Sequence, residues 1–166
     1  MIMKILVMSD SHSSLRNMRR YISFVKPSHI IHLGDLMEDA QAISEQCPQL
    51  RFHMVPGNCD IGYLWIQEPK VLCYDVGGVR LFMTHGHLHG VKSDLTRLIE
   101  DARQHGAAAA VFGHTHRKHC HQEEDGMWVI NPGSCRGDDG SVAVLDVEDG
   151  KISACTFLEQ ADIMPQ

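Results

Sequence analysis

Apolar positions along this chain follow two rhythms. Residues 2–8 form a nearly continuous apolar run, which predicts a buried strand. Leu15, Met18, Ile22 and Val25 then recur at helical spacing until Pro27 stops the helix. A second strand is expected at 29–33. A second helix is expected around Ala40, Ile43 and Cys47, ending before Pro48, and a third strand at 50–55, ending at Pro56-Gly57. This β-α-β-α-β opening implies parallel strands joined by crossover helices. Gly77-Gly78 separates runs at 71–76 and 79–84, a hairpin signal. Leu95, Leu98, Ile99 and Ala102 mark a third helix with Ser93 as its N-cap. Further strands are expected at 108–112, 119–123, 127–130, 141–147 and 151–158. An αβ first half followed by a mostly β second half predicts an α/β fold of two packed mixed sheets flanked by helices.

Bulk properties narrow the picture. A length of 166 residues fits a single domain, 1–166, with no linker or repeat to divide it. The net charge of -6 disfavours a nucleic-acid polymer as partner, because polymer binding usually needs a basic face. It leaves room for a nucleotide held by metals. No stretch approaches the ~20 apolar residues of a membrane span. The run at 2–8 is interrupted by Lys4 and is too short for a secretory signal. The six cysteines form no C-x-x-C pair and read as reduced thiols in a cytoplasmic protein. Met1, Met3 and Met8 read as core packing. A homo-oligomer is compatible with the sequence.

Histidine changes the picture. There are 12, and seven crowd into the windows 85–89 and 114–121. Polar clusters sit just past predicted strands: Asp10-Ser11-His12, Gly34-Asp35, Gly57-Asn58, His85-Gly86-His87 and Gly113-His114-Thr115-His116. That edge is where open α/β sheets place ligands. Carboxylate oxygen with imidazole nitrogen suits Mn²⁺, Fe, Ni²⁺, Co²⁺ or Zn²⁺. Asp10 and His12, two apart in extended chain, can bind one ion together. His114 and His116 can reach a pair of ions about 3.5–4 Å apart, and Asp35 is the natural bridging carboxylate. Each cluster alone has a plainer reading: Asp10 as a cap, Gly34-Asp35 and Gly57-Asn58 as turns, His85 as a hydrogen-bonded strand end. Five in order reverse that weighing.

The ordered set Asp10-x-His12, Gly34-Asp35, Gly57-Asn58, His85-Gly86 and Gly113-His114-x-His116 resembles the calcineurin-like metallophosphoesterase superfamily. The small size, Gly57-Asn58-Cys59-Asp60 and the Asn131-Pro132-Gly133-Ser134 turn resemble its short bacterial and archaeal phosphodiesterase branch. The resemblance spans residues 2 to about 147. It implies a four-layer α/β/β/α sandwich. It implies one metal held by Asp10, His12 and His116, another by Asn58, His85 and His114, and Asp35 between them. Manganese is the expected pair. The implied reaction is hydrolysis of a small phosphodiester by in-line attack of a hydroxide that bridges the metals. A phosphomonoesterase or nucleotidase on the same site is the alternative. So is a protein-binding scaffold like the retromer subunit of this fold, whose metal site is impaired; the full set of ligand types here argues against it.

One position departs from the family. Many members carry His after the motif Asn, where it helps protonate the leaving group; this chain has Cys59. His87, His89 or a metal-bound water then become candidates for that proton. His87 and His89 otherwise line the cleft. His32 reads as a structural or supporting group, His29, His53 and His105 as surface or core, and His119 and His121 as alternate positions on a strand past the site. Arg136 reads as a solvated loop residue. Substrate choice is expected in the loops 61–70 and 87–92, where Tyr63 and Trp65 stack on a base or cover the core.

Overall fold

The computed structural model describes residues 1–60 and 69–164; Tyr63 and Trp65 lie outside the described residues. Two five-stranded mixed sheets stack on one another. The first contains β1 (Met3–Met8), β2 (His29–His32), β3 (Arg51–Met54), β9 (Ser141–Glu148) and β10 (Lys151–Glu159), in the order β10-β9-β1-β2-β3. Here β1, β2 and β3 run parallel, and β9 and β10 are antiparallel additions. The second contains β4 (Val71–Val76), β5 (Val79–Thr84), β6 (Ala109–Val111), β7 (Lys118–Gln122) and β8 (Trp128–Pro132), in the order β4-β5-β6-β8-β7. Its centre, β5-β6-β8, is parallel and both edges are antiparallel.

Three apolar clusters define four layers. Between the sheets lie Ile5, Val7, Ile31 and Leu33 from the first and Leu81, Met83, Val111 and Ile130 from the second. The outer face of the first sheet, with Leu6, Met8 and Ile30, packs on Met18 and Tyr21 of α1 (Leu15–Val25) and Ala40 and Ile43 of α2 (Met37–Gln46). The outer face of the second, with Phe82, Ala110 and Val129, packs on Leu98 and Ala102 of α3 (Thr96–Gln104). Strand alternation sends β1 residues in both directions: Ile5 and Val7 face the other sheet, Leu6 and Met8 face the helices. The order is therefore helix, sheet, sheet, helix.

Several expected boundaries move. Met1 and Ile2 are exposed, so β1 starts at Met3 and Met1 packs on nothing in the core. Ser93 does not cap α3. The helix starts at Thr96 behind Leu95, and Asp94 Oδ1 accepts the Thr96 N–H at 2.9 Å instead. The expected turn at Asn131-Pro132-Gly133-Ser134 is half strand: Asn131 and Pro132 close β8 opposite His119 and Lys118. Proline, lacking an N–H, is tolerated at that terminal position. A short helix α4 (Gln160–Ile163) follows β10, where no helix is expected. No helix of the described residues is long and apolar enough to cross a membrane.

Candidate metal centre

Each polar cluster sits where a parallel strand ends, and the two sheets bring those ends to one edge. In the first sheet the loop after β1 is tied to the loop after β2 by the Asp10 N–H to the Gly34 carbonyl (2.9 Å) and the His12 N–H to the Asp35 carbonyl (3.2 Å). In the second, the Gly113 N–H reaches the His85 carbonyl (2.9 Å). A side chain at Gly34 would stand 2.3 Å from Gly57 N, and one at Gly57 would stand 2.1 Å from Asp35 Oδ1. The loops after β2 and β3 touch because both positions are glycine. Asp10, His12, Asp35, His114 and His116 all have positive φ, between 42° and 68°. Asp and His tolerate that region better than most residues, and its cost is typical of functional sites.

The donor atoms converge. Asp10 Oδ1 lies 3.0 Å from His116 Nε2, 3.8 Å from His85 Nε2 and 4.0 Å from His12 Nε2. Asp35 Oδ2 lies 3.4 Å from His85 Nε2 and 4.0 Å from His12 Nε2. Asn58 Oδ1 is 3.0 Å from His85 Nε2. Two compact groups result, Asp10 with His12 and His116, and Asp10 with Asp35 and His85. The Asp10 carboxylate is common to both, while Asp35 stands between His12 and His85. His114 is outside both groups. Its ring packs edge-on against His85 with centroids 5.0 Å apart, and its backbone N–H donates to Asp10 Oδ2 at 3.1 Å.

These residues fit cations. His12 Nε2 is buried and has no hydrogen-bond partner among the described residues, although two carboxylates lie 4.0 Å away. An orphaned nitrogen between acids is costly unless a cation joins them. His85 makes the same point differently. Its Nδ1 faces the Leu33 carbonyl at 2.6 Å, which can only accept, so that nitrogen carries a proton. Nε2 faces Asn58 Oδ1 and Asp35 Oδ2 and needs a positive group there, a proton or a metal.

Electrostatics follow from this crowding. Burial alone lowers His85, but the hydrogen bond to Asp35 and the charges of Asp10 and Asp35 outweigh it and raise its pKa. Burial alone raises Asp35; the hydrogen bond and charge of His85, with the Cys59 amide and thiol, hold its carboxyl well below the usual range. Burial and the charges of His85 and Lys92 lower His114 to about 4. His87 is also lowered, by burial and by His85, so its ring is neutral at pH 7. It stands beside His85 and His114, at centroid distances of 5.5 and 6.1 Å, with a buried Nδ1 that finds no partner among the described residues. His87 thus borders the centre. His89, expected in the cleft, does not: its Nε2 pairs with Asp101 of α3 at 2.9 Å and its ring meets Phe82 edge-on. Cys59 is exposed beside the site, its N–H donating to Asp35 Oδ1 at 2.9 Å.

Four supporting residues carry no assigned role in the sequence reading. Asp60, buried, accepts three backbone N–H groups: Asp35 (3.0 Å), Gly57 (2.7 Å) and Met37 (2.8 Å). Asn131 holds the loop after β6 through Gly113 O and Thr115 Oγ1. Ser134 donates to the Asp10 carbonyl, and Ser9 to Asp10 Oδ2. His32 is fully buried; its Nδ1 accepts from Gly34 N and its Nε2 faces Ser11 Oγ, which donates to Asp39 Oδ2 at 2.6 Å. Ser11 is consumed by that relay. A signal for Asp60 and Asn131 exists in the sequence: each lies within three residues of a ligand-type residue or glycine turn, in the Gly57-Asn58-Cys59-Asp60 and Asn131-Pro132-Gly133-Ser134 stretches.

The sequence model of the calcineurin-like phosphoesterase superfamily domain matches residues 3–150. The chain belongs to that superfamily. A probable metallophosphoesterase of Bacillus subtilis is 31% identical over 141 residues, covering 81% of this chain and 76% of that protein. A phosphodiesterase of Methanocaldococcus jannaschii is 27% identical over 166 residues, covering 88% and 94%. Among solved structures, a predicted phosphoesterase from Streptococcus pneumoniae aligns with a TM-score of 0.76 at 24% identity, covering 99% of this chain and 94% of the other. Vacuolar protein sorting 29 from Cryptosporidium parvum aligns at 0.72 and 16% identity, covering 95% and 98%. These structural likenesses establish the four-layer fold. For this calcineurin-like phosphoesterase, the two acidic and histidine groups are candidate holders of divalent metal.

Proposed function

We propose that this chain is a phosphodiesterase that works with two divalent cations, preferentially Mn²⁺, on a small diester substrate. Asp10, His12 and His116 would hold one cation and Asn58, His85 and His114 the other, with Asp35 between them. The observation that carries this reading is the Nε2 of His12, buried between the carboxylates of Asp10 and Asp35 and without a hydrogen-bond partner among the described residues. The cations would lower the pKa of water and neutralise charge on the phosphoryl oxygens.

The chain's own residues do the positioning. Leu33 fixes the His85 tautomer so that Nε2 faces the site. Asp60 and Ser134 hold the backbone of Asp35 and Asp10. His87 stands at the edge with an unused Nδ1; its protonated form, a larger fraction at lower pH, would supply a proton to a departing alkoxide. All six cysteines are free thiols, which supports a cytoplasmic setting.

The test is hydrolysis of bis(p-nitrophenyl) phosphate and p-nitrophenyl phosphate by protein reconstituted with Mn²⁺. The diester is expected to be cleaved faster, and Asp35→Asn to lose orders of magnitude in turnover. Faster cleavage of the monoester would make the protein a phosphomonoesterase. No Mn²⁺ binding and no cleavage would revive the scaffold reading. Near-wild-type turnover by Asp35→Asn would remove Asp35 from between the cations.

A further inference from the structure

The metal edge does not end at the metal residues. A cavity of about 590 Å³ opens beside the Gly113-to-His116 loop, on the outer side of the second sheet. Its wall includes Val91, Lys92, Phe112, Thr115, Arg117 and His119. Two contacts join it to the candidate centre. Thr115 lies between His114 and His116 in the chain, and Val91 packs on Gly86, the neighbour of His85, where an added Cβ would stand 2.8 Å from it. The cavity therefore borders the loop that carries His114 and His116.

Its charge is unusual for this chain. The protein carries -6 overall, yet this wall presents Lys92, Arg117, Lys118 and His119 against one acid, Asp94. That acid is engaged, since Asp94 Oδ1 accepts the Thr96 N–H. The Lys118 ammonium is also engaged, with Glu159. Lys92 and Arg117 are exposed and pair with no carboxylate among the described residues. Two uncompensated cations beside a phosphoryl-transfer site match a second anionic group of the substrate. Arginine in particular suits phosphate, which its planar fork engages with two hydrogen bonds. The volume lies in the range of sites for nucleotide-sized ligands.

We propose that this cavity is a subsite for a second phosphoryl group, so that the substrate class is a diester that carries a further terminal phosphate. The inference rests on the proposed phosphodiesterase reading for the position of the scissile phosphate. Lys92 and Arg117 take the terminal phosphate, and the metals take the ester. A substrate of a few nucleotide units satisfies both, while a long polymer would meet the chain's overall negative charge.

The test uses two ligands that differ by one phosphate, the dinucleotides ApA and pApA, competing with bis(p-nitrophenyl) phosphate on Mn²⁺-loaded protein. As inhibitors or competing substrates, pApA is expected to act at concentrations at least tenfold below ApA. In Lys92→Gln/Arg117→Gln that ratio is expected to fall within threefold of one. A control, Lys26→Gln/Lys151→Gln, removes the same charge at the opposite end of the sheets and is expected to keep the wild-type ratio. Equal potency of the two dinucleotides on the wild-type protein, or an unchanged ratio in the Lys92/Arg117 variant, would overturn the subsite, as would equal losses in both variants. If the protein cleaves no diester at all, the phosphodiesterase reading fails by itself. Calorimetric titration of both dinucleotides then still reads the tenfold preference and decides the subsite.

Discussion

His85 Nδ1 lies 2.6 Å from the carbonyl oxygen of Leu33, a contact that crosses from the second sheet to the first. Leu33 follows β2 and is fully buried; His85 follows β5 and is fully buried. One hydrogen bond therefore fixes a tautomer and locks the two halves of the sandwich together at the site edge.

His85→Ala removes the nitrogen that faces Asn58 and Asp35 while leaving the apolar core untouched. Metal affinity is expected to fall by at least the roughly 10–100-fold that loss of a supporting partner costs. Titration of Mn²⁺ into wild-type and variant protein checks this. Equal affinities would show that His85 holds no ion.

Asp60 is expected to matter for stability and for the site at once. Asp60→Ala leaves three buried N–H groups, of Asp35, Met37 and Gly57, without their acceptor. The expected loss is about 3–5 kcal/mol, by analogy with removing one partner of a buried charged pair. Urea unfolding measures it. A loss below about 1 kcal/mol would mean that water replaces the carboxylate.

Acid is expected to destabilise the fold through His32. Burial, opposed by the charges of Asp39, Asp10 and Asp60, lowers this imidazole to about 4. In the unfolded chain it titrates near 6.5. Between those values the unfolded state binds more protons, so stability is lost as pH falls from about 6.5 toward 4. The loss from this group is about 3 kcal/mol. His32→Gln is expected to flatten the curve of unfolding free energy against pH in that window. His53, lowered to about 4 by burial and by the charges of His29 and Arg51, titrates alongside it. The relevant readout is thus the difference in slope between variant and wild type.

Cys59 is expected to bear on leaving groups. Burial and the hydrogen bond and charge of Asp35 push the thiol up, so it holds its proton and is a weak acid at pH 7. Cys59→His is expected to accelerate diesters with poor leaving groups more than those with good ones. Rates across a series of substituted phenyl diesters give the dependence, and an unchanged slope would exclude a role for this position.

The parts that were legible in the sequence share a cause. Apolar strands ending abruptly in Gly, Asp, Asn or His advertise both the strand and what it delivers, so β1 to β3, β5 and β6 and the residues at their ends could be read together. Asp60 and Asn131 were harder, because a polar residue close to a turn looks like any solvated residue until its backbone partners are known. His89 illustrates the opposite error: proximity in the chain to His85 suggested the cleft, but a 3-10 turn at His87–His89 swings it toward Asp101. Ser93 has the right chemistry for a cap, yet it is Asp94, one residue further on, that accepts the Thr96 N–H. The cavity at Lys92 and Arg117 takes one side from the loop 87–92, where substrate choice is expected, and the other from a segment 25 residues on that no local pattern marks.

The left-handed backbone at Asp10, His12, Asp35 and His114 is tied by hydrogen bonds to other parts of the chain. A socket shaped in advance has little left to rearrange when an ion arrives or leaves. A divalent ion held there would therefore be exchanged with little rearrangement of the backbone.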